Sequence, residues 1–359
     1  MLQDQKSKPS LYRPSLDGLR FFAFLLVFVH HLVPPDFAPL KLVSRFGWVG
    51  VDLFFTLSAF LLMLGLIERH NAYGFVSFKE FFLGRLLRIY PLMASATLIF
   101  VFFHGSSLNI RIAIEQMVAQ LAFVSNFYYF IDKGSYYNIA HLWSLSFEFQ
   151  FYLVLPMIFL VYSRRGSTSF FMLLAAILGL GLIARGIAIS AGVRHPVIYY
   201  TPLLRPESIL IGLALAAASL NVRPILVSGV GLIACTLFLS GPNVNAPGSW
   251  NVILYPLTAV MSGATVWLSL HAAPLRAILS VRPLVRLGKI SFGLYVFHLP
   301  IIYLLVGISG ETPSGPRYVA NFVIALFATI ALAEISYRYF ETPFLRMKDR
   351  KSKLITRPL

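Results

Sequence analysis

Leu16-Asp17-Gly18-Leu19-Arg20-Phe21-Phe22-Ala23-Phe24-Leu25-Leu26-Val27-Phe28-Val29-His30-His31-Leu32-Val33 reads as one apolar run with a cation near its start and an imidazole near its end. As a helix it is long enough to cross a bilayer, yet it carries side chains that a bilayer penalises. Eleven helical steps of about 100° separate Arg20 from His31. They sum to about 1,100°, three turns plus about 20°. The two residues therefore share one face, about 16 Å apart along the axis. His30 points about 100° away and is the weaker member. A fixed cation and a titratable base on one stripe point to chemistry inside the membrane, not to a simple anchor.

The rest of the chain agrees with a lipid setting. Of 359 residues, 58% are hydrophobic and 12% charged; a soluble protein carries about twice that charged fraction. The first apolar run is too long for a cleavable signal peptide, and Val33-Pro34-Pro35 offers no small-residue cleavage site. The single Cys235 excludes an intrachain disulfide and is expected to be a buried, inert thiol. Ten segments are long and apolar enough to span: about 16–33, 48–67, 88–104, 140–162, 170–190, 203–219, 225–240, 251–271, 290–308 and 319–338. The stretch 115–131, with Gln116, Gln120 and Asn126, is an ambiguous eleventh that suits an interfacial or half-buried helix. No repeat and no low-complexity linker divides the chain. The expected architecture is an all-α polytopic integral membrane protein, about ten transmembrane helices in one bundle. It occupies residues 11–345 between short basic tails at 1–10 and 346–359.

Lys and Arg alternate between the two sets of loops. One set holds Arg13, Arg69, Lys79, Arg85, Arg88, Arg164, Arg165, Arg223, Arg276, Arg282, Arg286 and Lys289 with both tails; the other is much poorer. The positive-inside rule then places both termini in the cytoplasm. The formal net charge of +16 becomes an inner belt facing anionic membrane lipids. It does not call for a nucleic-acid partner, since no recognition module is legible.

Several constellations could carry the chemistry. Asp17 stands three residues before Arg20 and can pair with it. Arg20 alone would also suit a cation snorkelling to the inner headgroups. Arg85 and Arg88 are three apart, so they share a face at the inner end of the third span, and forked guanidinium groups suit phosphate oxygens. Basic residues there are also what topology alone requires. His141, Ser144, Glu148 and Tyr152 recur at steps of three and four, forming one polar stripe with Ser146 nearby. A carboxylate inside a span must pair, stay protonated or meet water. Asp52 and Ser58 in the second span, Arg205 and Glu207 in the sixth, and His298 in the ninth are further intramembrane polar groups. Each alone is more often a structural partner than a catalyst. No Walker loop, dinucleotide fingerprint or metal-ligand spacing is present, so no metal is expected.

Taken in order, these segments resemble the acyltransferase 3 family, membrane-bound O-acyltransferases of bacterial surface or exported polysaccharides. The resemblance rests on Leu16-Asp17-Gly18-Leu19-Arg20 with its ten-residue gap to His31, and on Gly50 to Ser58. It continues through Arg85-Leu-Leu-Arg88-Ile-Tyr90-Pro91, His141 to Tyr152, and Leu204-Arg205-Pro206-Glu207 with Gly212. It closes on Gly288 to Tyr295 and Tyr339-Phe340-Glu341-Thr342-Pro343. Two positions depart from the family pattern: Ala59 follows Ser58 where glycine is usual, and Phe149 follows Glu148 where a second glutamate is usual. The resemblance implies transfer of an acyl group, usually acetyl, from cytoplasmic acyl-CoA to a carbohydrate hydroxyl. The acceptor would be O-antigen, exopolysaccharide or a lipid-linked oligosaccharide, and the setting the cell (inner, cytoplasmic) membrane. Acetyl-CoA would be a substrate docking at Arg85, Arg88 and Arg20, with no cofactor bound permanently. His31 would be general base, with Glu148 or Asp17 orienting partners and an arginine stabilising the oxyanion; a covalent acyl-enzyme is the rival mechanism. A flippase for lipid-linked sugars, a non-catalytic scaffold, or an acyltransferase acting on a secreted small molecule such as a macrolide are the competing functions.

Overall fold

The chain is described by a computed structural model over residues 12–32, 43–104, 110–128, 139–218, 220–242, 249–309 and 316–347. Both expected tails lie outside these residues, apart from Arg346 and Met347. The described residues hold helices and no strand. Apolar side chains favour this in lipid, because a helix satisfies its own backbone hydrogen bonds.

The opening run is helix α1, Pro14–His31. Pro14 suits a first turn, where its missing N–H costs nothing, and Leu32 leaves the helix in an extended conformation. α1 lies at the centre of the bundle. Leu16, Leu19, Ala23, Phe24, Val27 and Phe28 are all buried, and the helix packs on α2 (Val49–Tyr73) and on segments from the C-terminal half. Gly50 makes the α1–α2 contact possible: a Cβ there would overlap the Ala23 carbonyl oxygen and the Val27 side chain. Small residues permit such backbone approach between helices in lipid.

α3 (Phe78–His104), α4 (Ile110–Leu121) and α5 (Ser125–Tyr128) follow. The ambiguous 115–131 stretch is thus two short helices, with Gln116, Gln120 and Asn126 buried. Next comes α6, Trp143–Ser190, interrupted at Gly166 (φ 82°, ψ 177°). A continuous helix of that length would be about 72 Å long, more than twice a bilayer's hydrocarbon thickness. The break falls beside Arg164 and Arg165, between the two expected spans, and Tyr162 and Phe170 meet across it at 5.4 Å. Beyond α7 (Val197–Tyr200) lie α8 (Glu207–Ala217), α9 (Pro224–Ser240), α10 (Trp250–His271), α11 (Ala273–Leu279), α12 (Arg282–Lys289), α13 (Ser291–Ser309) and α14 (Pro316–Ser336).

Among the described residues, five helices are long and apolar enough to cross a membrane, starting at Val49, Phe78, Ala140, Trp250 and Val319. The pair α12–α13, bent by 71°, makes a sixth. Ten were expected. α8 is a helix of 11 residues, well short of the apolar run at 203–219, whereas α9, with 17 residues, matches the run at 225–240; both fall below the about 20 residues that span a bilayer. In α1, Asp17, Arg20, His30 and His31 dilute the apolar content, and the helix is surrounded by protein. The chain is a multi-pass helical membrane protein. Cys235, expected to be buried, is only half-buried, because α9 turns one face outward, with Leu232 and Ile233 exposed.

Candidate functional site

α1 passes between two chambers, and the two residues of its polar stripe fall one in each. The first is lined by Arg20 of α1, Val51, Phe54, Phe55 and Ser58 of α2, Arg85 and Arg88 of α3, Ser144, Glu148 and Tyr152 of α6, and Tyr295 of α13. Three guanidinium groups face one carboxylate there. The second is lined by His30 and His31, Arg45, Trp48, Val51, His141, Trp143, His195, Tyr199, Tyr200 and Tyr295. It is a chamber of rings, with one guanidinium.

In the arginine chamber, Arg20 donates from Nη1 to Asp17 Oδ1 at 3.1 Å, the pair expected from their spacing. Asp17 is buried beside the chamber without lining it. Arg20 also feels the charges of Arg88 and Glu148. Arg85 feels Arg88, Glu148, Arg20 and Tyr152, and its Nε is buried without a hydrogen-bond partner among the described residues. The Tyr152 hydroxyl stands 3.3 Å from Ser58 Oγ, and Tyr152 interacts electrostatically with Glu148 and Arg85. The surplus of cationic donors suits a polyanion.

In the histidine chamber the hydrogen bonds fix the tautomers. His298 Nδ1 lies 2.6 Å from the Tyr295 carbonyl oxygen, which only accepts, so this nitrogen carries the proton. In a neutral ring His298 Nε2 is then an acceptor, and its neighbour at 2.9 Å, His31 Nδ1, is the donor. His31 Nε2 is left with its lone pair, the form a general base needs. His141 donates from Nε2 to the Val296 carbonyl at 3.1 Å, and its Nδ1 is buried without a partner among the described residues. The His141 and His298 rings lie 4.8 Å apart, and those of His31 and His298 5.0 Å apart. His195, in the loop between α6 and α7, has its protonation pushed down to about 4 by burial first, then by the charges of Arg205 and His30. It adds a neutral ring at neutral pH.

The remaining expected residues support the walls. Asp52 pairs with Arg205 at 2.8 Å and accepts from Ser208. Arg205 lies over the Tyr199 ring at 3.9 Å and donates to the Tyr199 carbonyl at 3.3 Å. Glu207 pairs with Arg185 at 2.5 Å. These four ions are buried and tie α2, α6 and α8 together behind the histidine chamber; neither Arg205 nor Glu207 lines a chamber. Ser146 bonds to Ser125 at 2.8 Å and faces α5. The four-residue stripe beginning at His141 divides: His141 stands in a short turn of 3₁₀ helix, Ala140–Leu142, ahead of α6, and serves the histidine chamber, whereas Ser144, Glu148 and Tyr152 serve the arginine chamber.

Several contributors were not singled out in the sequence. Val51 and Tyr295 line both chambers. Arg45, in a short helical turn over residues 43–46, and His195, in the loop after α6, had no helical stripe to mark them. Glu341, buried in the π-helical turn Tyr337–Glu341, interacts electrostatically with Arg88. Its motif was legible; its partner, from a helix about 250 residues earlier in the chain, was not.

A polytopic helical protein with a cationic chamber abutting an imidazole chamber fits an acyl-transfer enzyme, and comparison with known proteins shows that class: the chain belongs to the Acyl_transf_3 family, described as an acyltransferase domain, which matches residues 13–338. Among curated relatives, the chain is 30% identical over 365 residues to the peptidoglycan O-acetyltransferase OatA of Listeria monocytogenes, covering 92% of this chain and 56% of that protein. It is 28% identical over 376 residues to the O-acetyltransferase OatA of Staphylococcus aureus, covering 95% of this chain and 58% of that one. The chain thus spans a little over half the length of these relatives. No solved structure matches it.

Proposed function

We propose that the chain is a membrane O-acetyltransferase of the cell (cytoplasmic) membrane, carrying acetyl from cytoplasmic acetyl-CoA to a hydroxyl of a cell-surface polysaccharide. The observation that carries this reading is the polarity of the paired chambers: arginines on one side of Val51 and Tyr295, a base with a free lone pair on the other. Arg20, Arg85 and Arg88 take the phosphates of the donor, and both termini lie on that cytoplasmic side with the basic belt against membrane lipids. The rings of Trp48, Trp143, Tyr199 and Tyr200 offer apolar faces to a sugar, and the neutral imidazoles offer acceptors and donors to its hydroxyls. The names of the relatives favour a surface glycan over a macrolide or other secreted small molecule, and family membership favours an enzyme over a flippase.

In the reaction, His31 Nε2 removes the acceptor's hydroxyl proton as the oxygen attacks the thioester carbonyl. The new C–O bond forms, the C–S bond breaks, and the thiolate leaves with the proton that His31 held. His31 Nδ1–H stays on His298 Nε2 throughout, which orients the ring and steadies the imidazolium. Helical side chains lean toward the N-terminus, so His31 leans toward the arginine chamber and Arg20 leans away from His31. With about 16 Å between them along the axis, a single carbonyl does not meet both. Arg20 is therefore assigned to the donor's anionic part and not to the oxyanion. No permanently bound cofactor has a role.

The test is a mass-spectrometric comparison of surface polysaccharide from cells with and without the gene. Loss of base-labile acetyl groups that returns on complementation is expected; an unchanged acetyl content contradicts the reading.

A further inference from the structure

His30 and His31 are neighbours on a helix, so their side chains diverge by about 100°. Both nevertheless line the histidine chamber, and their ring centres lie 5.3 Å apart. His31 is the base of the proposed reaction; His30 has no part in it. Its ring is held from outside α1 by the helical turn over residues 43–46. His30 Nδ1 stands 2.7 Å from the Ser44 carbonyl oxygen, and Ser44 Oγ donates to the Leu32 carbonyl at 3.3 Å. Gly47 lets this turn lie against the helix: a Cβ there would overlap the Leu26 carbonyl oxygen and come within 3.0 Å of His30 Cβ. The Ser44 carbonyl only accepts, so His30 Nδ1 carries the proton, and in the neutral ring Nε2 keeps a lone pair. No described residue bonds His30 Nε2, and that nitrogen is not sealed in as Nδ1 of His141 is. Among the described residues no carboxylate lines the chamber to take a sugar hydroxyl, which leaves that part to imidazole nitrogens.

Resting on the reading that His31 deprotonates a carbohydrate hydroxyl, we infer that His30 Nε2 accepts a hydrogen bond from a second hydroxyl of the same sugar, so that the enzyme acts on a diol. The second hydroxyl stands on the adjacent or next carbon, because rings this close present their lone pairs to neighbouring groups of one sugar residue. His30 takes no proton. Its own Nδ1–H stays on Ser44, and Nε2 holds the sugar in the rotation that turns the reacting oxygen toward His31. A binding site built to accept a hydroxyl discriminates against a sugar that lacks it, since its lone pair is then left unpaired.

The experiment uses inverted membrane vesicles from source cells lacking the gene, complemented with the full-length chain, so that the natural polysaccharide is present. Acetyl-CoA is the donor, and ester-linked acetyl is counted by mass spectrometry and placed on its sugar by NMR. Two substitutions separate the two ends of the imidazole. His30→Asn keeps a donor where Nδ1 meets Ser44 and loses the acceptor; His30→Gln puts an amide oxygen where Nε2 stands. His30→Asn is expected to lower transfer by about 5–150-fold, with the KM for acetyl-CoA unchanged and the remaining acetyl spread over more than one hydroxyl. His30→Gln is expected to transfer more than His30→Asn and to keep the wild-type position. Wild-type rate and position in His30→Asn, or His30→Gln no better than His30→Asn, overturn the inference. The wild type tests it too, whether or not the variants accumulate: acetyl is expected on a sugar with a free hydroxyl on the adjacent or next carbon, and acetyl on a sugar without one overturns it. If wild-type vesicles transfer no acetyl, the acetyltransferase reading fails instead, and the wild-type lane tells the two failures apart.

Discussion

His31 has a hydrogen-bond partner that sets its chemistry as firmly as its position does. The Tyr295 carbonyl fixes the His298 tautomer, and His298 fixes that of His31. Removing the acceptor at position 298 frees His31 Nδ1–H to rotate away and leaves the imidazolium without its neighbour. His298→Leu is expected to lower kcat by about 10–100-fold, the usual range for a residue that orients a reacting group through a hydrogen bond, with the KM for acetyl-CoA little changed. His298→Gln restores an acceptor oxygen and should recover part of kcat. Steady-state kinetics on vesicles checks the split; a loss confined to KM would assign His298 to donor binding. The Arg20/His31 stripe was legible from helical geometry alone, since both residues lie on one element. The His31–His298 contact was not, because it joins residues 267 apart and nothing local encodes which imidazole of α13 turns toward α1.

At the scale of elements, the buried ions Asp52, Arg205, Arg185 and Glu207 act as rivets between α2, α6 and α8. Breaking a buried pair by deleting one partner costs about 3–5 kcal/mol, because the other charge is stranded. Arg205→Ala is expected to lower stability by that amount in a thermal or denaturant series in detergent, whereas Arg338→Ala is expected to cost less than about 1 kcal/mol, since Arg338 is exposed and its partner Glu334 keeps Arg286. Equal losses would contradict the rivet description. Asp52, Arg205 and Glu207 stood out in the sequence as charges in apolar runs. Their mutual pairing did not, since Asp52 and Arg205 are 153 residues apart. Helix limits were harder still: hydropathy gave α8 more length than its helix has, because the apolar Leu203 and Leu204 lie in a 3₁₀ turn ahead of it.

Over the whole molecule the chambers define a direction. On the proposed orientation, acetyl-CoA is expected to react only from the face onto which the arginine chamber opens. Sealed vesicles of known orientation check this: inverted vesicles consume added acetyl-CoA, and right-side-out vesicles consume it only after permeabilisation. Equal rates from both faces would contradict the directional arrangement. Composition made the all-helical membrane class plain, because so little charge leaves no aqueous surface to build. The partition into two chambers was hidden, for it depends on which residues from distant parts of the chain line each one.

Proton removal by His31 is the step on which the proposed reaction depends. The most direct measurement compares His31→Ala with the wild type at matched membrane levels, following transfer of acetyl from acetyl-CoA to polysaccharide. Loss of a general base predicts a fall of about 10²–10⁴-fold, with the variant still inserted and acetyl-CoA still bound. Transfer at the wild-type rate would contradict it.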